Sequence, residues 1–493
     1  MLFDIETMPG GIAVVRMRGG LTQASLRGPL RTLRDRLHAA HATAVLFDMK
    51  QLRQVNLAGI AALIDLFKSR NPIPLGACGM PARVAGMLRQ VGLDTLIPSY
   101  SSVDAALSDA TLRPLSLRGT RAVLLCAGKG TRARPMTQTV PKPMLDIAGR
   151  PILDHVLDHL ERCGVHDVLL NPGHLGPVIS GHYAAQPRWR QSLFFVNEGH
   201  WAGGDWTSDP IGSASTLKRM QDAHGAFDRD LIVMCGDALT DIDLPAMMAR
   251  HRAEDAAVTI AVQTVPEEDV SKYGIVVTDP RGRITSFQEK PSRDAAKSRL
   301  ANAGIYIFSP RVLDLIASRN GLDIAGDLMP AVMASGGHMV AYSEPFQWVD
   351  IGCGRDYAAA LDKVLAGEVT GVKPDGEAQG NGQWFHETAR VSRRASISGP
   401  VHVGAGAVIE AGAKIIGPAT IGARTRVAGK TLIRSSHVMA DTSVSKGAIL
   451  DHVIASGHWA VDHRFADGRS ADHLPLAKVG PCDAAPTRFA KAV

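Results

Sequence analysis

The chain has 493 residues, more than a single ordinary core can serve, so roughly two to four domains are expected. Hydrophobic residues make up 45% and charged residues 21%, a globular composition, and no apolar run approaches the ~18 residues that a membrane span needs. The net charge of +6 is spread through interleaved Arg and Asp/Glu with no dense basic block, which fits a small anionic substrate at least as well as nucleic acid; the partners expected are small molecules, not nucleic acid.

The first 112 residues read as a small α/β domain. Gly11–Met17 predicts a strand, and Thr22–His41 a helix with leucines at 26, 30, 33 and 37. Ala44–Met49 is a second strand, Ala58–Lys68 a helix, Ile73–Ala77 a strand and Pro81–Val91 a helix. Val45–Asp48 leading into Val55–Leu63 (VNLAGIAAL) resembles the STAS domain of anti-sigma-factor antagonists. Members that act as phospho-switches carry Asp-Ser-Ser-Gly at this point; here the residues are Asn56, Leu57, Ala58 and Gly59. Neither Leu57 nor Ala58 has a hydroxyl to accept phosphate, so the switch chemistry is not carried over. What remains is a docking or regulatory module with a protein partner, or a structural appendage. Thr111–Gly119, with Pro114, is the expected linker.

Residues 119–369 predict a Rossmann-like domain. Ala122–Cys126 is an apolar run of buried-strand length, followed by the glycine turn Ala127–Thr131 (AGKGT). Gly128 and Gly130 have no Cβ to block phosphate oxygens from the backbone N–H groups. Arg132 and Lys142 supply positive charge for a polyphosphate, and Pro141 and Pro143 stiffen the backbone around Lys142. Neither a dinucleotide fingerprint nor a P-loop is present. Ile152–Cys163 has helical periodicity, and Asp167–Asn171 and Leu193–Asn197 are strands. Leu231–Leu244 (LIVMCGDALTDIDL) runs a buried strand into Gly236-Asp237, and Trp348–Gly352 (WVDIG) repeats the pattern at Asp350. An aspartate at such a strand mouth either caps the next segment or holds a hard cation, and two of them can share one metal. The alternation of strands and helices predicts a mostly parallel sheet with its ligand crevice at the strands' carboxyl ends.

The string RAVLLCAGKGTRARPMTQTVPKPM resembles the G-x-G-T-R…P-K-P signature of the sugar-nucleotide pyrophosphorylases, with Ala133 and Met136 in place of leucines. The resemblance implies a nucleotide bound by Ala127, Gly128, Gly130 and Thr131, with Arg132, Lys142 and Asp237 as the catalytic set. Gly-Asp and Trp-x-Asp-x-Gly imply Mg²⁺ on Asp237 and Asp350. Ile211–Leu217 (IGSASTL) is similar to the family's base-binding L-G-T-A-G-A-L, with Gly212 meeting the base. Glu289-Lys290-Pro291 and Asn302-Ala303-Gly304 resemble its E-K-P and N-A-G elements at the sugar phosphate. Glu289 would accept sugar hydroxyls, Lys290 would face the phosphate, and Asn302 and Gly304 would complete that subsite. Gly199–Pro210 is longer than the family's usual connection; its Trp201 and Trp206 stack on a base or lid the site, or pack the loop down.

The implied reaction forms an NDP-sugar and pyrophosphate from an NTP and a sugar 1-phosphate. E-K-P, N-A-G, the following F-S-P and the C-terminal repeat lean toward mannose-1-phosphate guanylyltransferases and GTP. A glucose-1-phosphate thymidylyl- or uridylyltransferase is the alternative. The rival from another class is a non-catalytic sensor of sugar nucleotides.

Val369–Trp384 reads as a linker. Val391, Ile397, Val403, Ile409, Ile415, Ile421, Val427 and Ile433 then recur every six residues, which predicts a left-handed parallel β-helix of two to three coils over 385–455, with the register failing at Ser445 and Ile449–Ile454 adding a loose coil. Such extensions in the resembled family imply homo-oligomers; an acyltransferase with His402 or His437 as base is a second reading, against plain surface histidines. Residues 456–493 read as a loose tail. The six scattered cysteines form no C-x-x-C and read as free thiols of a reducing cytoplasm, and the start MLFDIETMPG has no secretory signal pattern.

Overall fold

The structure is a computed structural model that describes residues 1–8, 11–22, 29–39, 42–66, 74–90, 92–107, 109, 112, 117–188, 190–465 and 479–482. Its contacts divide the chain into two compact units: Met1–Arg121 with Leu160–Asp167 and Leu244–Arg250, and the remainder.

The amino-terminal unit holds a five-stranded sheet in chain order: Leu2–Met8, Ile12–Leu21, Ala44–Val55, Leu75–Cys78 and Ser99–Tyr100. The first pair is antiparallel and the others are parallel. Val15, Phe47, Leu63 and Leu88 close its core. Strand Leu2–Met8 was not expected, because charged Asp4 and Glu6 interrupt its apolar residues; as an edge strand it buries only one side. Strand Ala44–Val55 runs six residues past Met49 into a polar stretch, held by pairing with Ile12–Leu21. Asn56 caps the helix Leu57–Leu66, its Oδ1 accepting from the Gly59 N–H at 2.9 Å. A Cβ on Gly59 would sit 2.2 Å from the Leu21 carbonyl oxygen, so this position is set by close backbone approach. Parts of the expected helix Thr22–His41, of helix Ala58–Lys68, of strand Ile73–Ala77 and of the linker lie outside the described residues, as does the end of helix Pro81–Val91.

The second unit contains a sheet whose main path runs Ser192–Phe195, Asp167–Leu170, Arg121–Leu125, Leu231–Cys235, Leu300–Phe308, Val258–Thr264, Met339–Tyr342. Val123, Val233, Ile260 and Phe308 lie in its core. Arg121–Leu125 and Leu231–Cys235 are parallel, so their carboxyl ends open side by side. Leu300–Phe308 is antiparallel to both its neighbours. It therefore starts where they end, and Asn302 and Gly304 arrive at the same edge as Cys235.

The carboxy-terminal part is a parallel β-helix with three faces, each strand pairing with the third strand after it. Val403, Ile409, Ile415, Ile421, Val427 and Ile433 are buried in one core, stacking in pairs on the three faces. The stack then shifts by one residue, to Val438, Val444 and Leu450. The corner Ser435-Ser436 is one residue shorter than the matching corner at Gly417-Pro418-Ala419. The six-residue register is thus already broken before Ser445, but the coil continues: Val444 takes the inward place, and the strands Thr442–Val444, Ile449–Asp451 and Val453–Ala455 form a regular fourth coil where a loose one was expected. Part of the expected linker is also ordered: Glu377–Gly380 and Gln383–Phe385 form a hairpin that caps one face. Within the expected loose tail, Ala460–Asp462 and Val479–Pro481 add antiparallel strands, while 466–478 and 483–493 lie outside the described residues. His402 and His437 are each only 1% exposed, not on the surface. The face that carries them packs against the rest of this unit: a Cβ on Gly149 would lie 3.1 Å from the His402 ring, and His437 Nε2 lies 3.5 Å from Asp362 Oδ1 on the helix Gly354–Leu365.

Candidate active site

The glycine turn leaves the carboxyl end of the strand Arg121–Leu125. Gly130 has φ +59° and lies against Thr137 and Lys142, while a Cβ on Gly128 would meet nothing within 4 Å. The Thr137 hydroxyl donates to the Gly130 carbonyl at 2.7 Å and fixes the turn from below. Ala127 supports it from behind, its carbonyl accepting from the His174 N–H at 3.3 Å. A cavity of about 220 Å³ opens above this turn, lined by Gly128, Gly130, Thr131, Arg132, Lys142 and Asp237 among others. A second, of about 380 Å³, shares Thr131, Arg132 and Gly352 with it and adds Tyr273, Asp350, Arg355 and Asp356.

Lys142 lies between the two aspartates, with Nζ 2.8 Å from Asp237 Oδ2 and 3.5 Å from Asp350 Oδ1. Asp237 and Asp350 converge because the strands they flank, Ala238–Thr240 and Trp348–Asp350, form a two-stranded antiparallel ribbon with Ala238 opposite Asp350. Burial would strip the proton from Lys142, but Asp237 and Asp350 outweigh it and hold the ammonium pKa above its ordinary value. Burial pushes the Asp350 carboxyl up, Lys142 opposes the shift, and the Asp237 charge adds to it. Two carboxylates converging on one ammonium are hard oxygen donors already arranged around a cation, which suits a divalent ion sharing its shell with phosphate oxygens. Among the described residues no group of three or more His, Cys, Asp or Glu side chains could hold a metal, so such an ion would need substrate oxygens.

The expected sugar-phosphate residues form a neighbouring cluster. Gly274 pairs with Glu289, and the Lys290 N–H donates to the Tyr273 carbonyl at 3.2 Å. Lys290 has φ +42°, a strained value for a side-chain-bearing residue, and its Nζ pairs with Glu289 at 3.0 Å. Tyr273, which also lines the second cavity, packs on Trp348 at 5.0 Å and so joins this cluster to the Asp350 ribbon. Asn302 is committed to two internal bonds, from Nδ2 to the Tyr306 hydroxyl at 2.7 Å and from the Gly304 N–H at 2.9 Å. Gly304 abuts Cys235, whose Sγ would lie 2.8 Å from a Cβ placed there.

Gly212 begins the helix Ser213–His224 with φ +92°. A Cβ on it would fall 2.3 Å from the Leu322 carbonyl oxygen, which accepts from the Ala214 N–H at 3.0 Å and the Ser215 N–H at 3.3 Å. Gly212 lines neither of the two cavities above. The stretch expected as a long connection is the hairpin Gly199–Ala202 with Asp205–Ser208, in which Trp201 faces Trp206 edge-on at 5.7 Å. Trp206 packs the loop down, donating from Nε1 to the Gly173 carbonyl at 2.7 Å, whereas Trp201 is 64% exposed.

Three residues were not singled out in the sequence. Asp356 accepts from the Gly352 N–H at 3.1 Å and shapes the turn after Asp350. Asn171 accepts from the Cys126 N–H at 2.7 Å, and its place after the apolar run Asp167–Leu170 was the available signal, the same one that marked Asp237. Glu198 is 2% exposed and bonds to Asn171; nothing in the string VNEGH distinguishes it from a surface acid.

The nucleotidyl transferase family matches residues 121–367, and the STAS domain family matches residues 6–106. A UTP–glucose-1-phosphate uridylyltransferase of Synechocystis sp. is 38% identical over 343 residues, covering 69% of this chain and 88% of that protein. A mannose-1-phosphate guanylyltransferase of Mycobacterium tuberculosis is 31% identical over 300 residues, covering 60% and 78%. Among solved structures, a UDP-glucose pyrophosphorylase complexed with UDP-glucose covers 50% of this chain and 99% of its own, with 20% identity and a TM-score of 0.43.

Proposed function

The chain belongs to the nucleotidyl transferase family and is a sugar-1-phosphate nucleotidyltransferase, and from that premise we propose how its residues divide the work. An oxygen of the sugar 1-phosphate attacks the α-phosphorus of the NTP in line. The new P–O bond forms as the bond to the bridging α–β oxygen breaks, and pyrophosphate leaves with that electron pair. No protein nucleophile is required; positioning and charge stabilisation carry such transfers. The backbone of Ala127–Thr131 cradles the phosphates, Arg132 and Lys142 neutralise the triphosphate and the departing pyrophosphate, and the Gly212 loop meets the base. Glu289, Lys290, Asn302 and Gly304 orient the sugar phosphate. The family commonly uses divalent metal ions; Asp237 and Asp350 would hold Mg²⁺, which supplies Lewis-acid charge between carboxylates and phosphates.

The observation that carries this reading is Lys142 lying between Asp237 and Asp350 at the mouth of the glycine turn. UTP with glucose 1-phosphate is the leading substrate pair, because the uridylyltransferase is matched at higher identity over more of its length. GTP with mannose 1-phosphate is the second. Pyrophosphate release from each NTP against a panel of sugar 1-phosphates, with Mg²⁺ and then with chelator, tests the assignment. The expected result is metal-dependent release from one pair above the rest. No release from any pair, with sugar-nucleotide binding intact, makes the protein a sensor.

The amino-terminal STAS unit, lacking a phosphate-accepting hydroxyl at Leu57 or Ala58, serves in this proposal as a constitutive docking module for a protein partner. The β-helix joins copies of the chain into a homo-oligomer. Among the described residues no helix is long and apolar enough to cross a membrane, and all six cysteines are free, in keeping with a cytoplasmic enzyme.

A further inference from the structure

We propose that the buried carboxylate of Glu198 is a positioning residue that holds the glycine turn and the Gly212 loop at one fixed spacing, so that an NTP is gripped at its phosphates and its base together. This rests on the reading above, in which those two loops bind the two ends of the nucleotide. Glu198 is 2% exposed, and among the described residues no Lys, Arg or His forms an ion pair with it. A carboxylate so placed is costly unless every acceptor site is met by a donor. Three donors from three segments meet it. Asn171 Nδ2 donates to Oε1 at 2.9 Å, the Thr216 hydroxyl faces the same oxygen, and the Ile211 N–H donates to Oε2 at 3.1 Å. Its main chain is fixed as well, with its N–H donating to the Pro172 carbonyl at 2.7 Å and its carbonyl accepting from the Asp209 N–H at 2.9 Å.

Each donor leads to one of the two loops. Asn171 uses its other side-chain atom, Oδ1, to accept from the Cys126 N–H at 2.7 Å, at the point where the central strand becomes the glycine turn. Asn171 is itself 2% exposed, so this link is shielded from water. Ile211 immediately precedes Gly212, and Thr216 lies one helical turn beyond it, its hydroxyl 3.0 Å from the Gly212 carbonyl. The path Cys126–Asn171–Glu198–Ile211/Thr216 thus ties together two loops from distant parts of the sequence. An apolar core could pack the same segments, but only directional bonds fix three of them in register at once. The Glu289 and Asn302 cluster has no bond to this path among those described, so its geometry is independent of Glu198.

Glu198→Gln keeps the shape and turns one acceptor oxygen into an NH₂ that faces a donor. The expected result is a KM for the NTP raised roughly tenfold, with the KM for the sugar 1-phosphate unchanged; the buried donor–donor contact also lowers the melting temperature by about a few degrees. Thr216→Val, which removes a single donor, should raise the NTP KM in the same direction by about threefold; it serves as the test if Glu198→Gln does not fold. A merely structural role would lower the melting temperature and the active fraction while leaving the NTP KM alone, and that outcome overturns the inference. Calorimetric binding of UTP and GTP with Mg²⁺ separates the two levels. Wild-type binding with equal binding by both variants sinks the role of Glu198 and spares the site. No binding by the wild type sinks the site and this inference with it.

Discussion

At the scale of single residues, charge placement decides the outcome. Asp237 is the nearer partner of Lys142 and stands at the mouth of the glycine turn. Asp237→Asn should abolish pyrophosphate release, a loss of about 10³-fold or more, while far-UV circular dichroism and the melting curve stay close to wild type. A variant with full activity would remove Asp237 from the metal. Asp146 provides a separate test, of stability. Burial pushes its carboxyl up to about 6, with the Gly149 N–H opposing and the Asp375 charge adding. The folded chain thus holds this proton more tightly than the unfolded chain, so stability falls as pH rises from the ordinary carboxylate range of ~4 through about 6. Asp146→Asn stays neutral and can still accept from Gly149. It should be more stable than the wild type above pH 6, by up to ~3 kcal/mol, and equal to it below pH 4, as read from urea melts at the two pH values. A gain of equal size at both pH values would exclude this cause.

At the scale of elements, close backbone approach sets the loops. Gly212→Ala would drive a Cβ to 2.3 Å from the Leu322 carbonyl oxygen at a backbone angle of φ +92°. The loop must shift, and kcat/KM for the NTP should fall at least about tenfold in steady-state assays, with the sugar 1-phosphate KM preserved. The sequence made the glycine turn, the two aspartates and the hexapeptide stack legible, because each writes a short local pattern. It did not show the Ser435-Ser436 corner, where one missing residue moves the inward position from Met439 to Val438. Counting by six passes over such a step, but a three-sided coil absorbs it at a corner. The edge strand Leu2–Met8 and the polar end of Ala44–Val55 were equally hidden, since their order comes from pairing rather than from burial. Glu198 was illegible for a related reason: its donors arrive from segments that only the fold brings together.

At the scale of the whole molecule, the second unit couples the β-helix to the site through one helix. Gly354–Leu365 follows Asp350 by four residues and packs on the strand Ala419–Ile421, and a Cβ on Gly354 would contact Ile454 at 3.6 Å. Its Tyr357 hydroxyl donates to the Asp146 carbonyl at 2.6 Å. The β-helix is therefore part of the support for Asp350 and Asp356. Removing residues 371–493 should lower the melting temperature by ~5 °C or more and reduce kcat. A truncated chain that melts and turns over like the full one would show that the coil is dispensable to the site.

The ribbon that brings Asp237 and Asp350 together is three residue pairs long, and its main-chain ladder carries Asp350 to the residue next to Asp237. Everything threaded between them in sequence can lengthen, shorten or decorate its outer bends without disturbing that gauge. Evolution is thereby free to remodel the rim that chooses a sugar while the phosphate chemistry beneath keeps its dimensions.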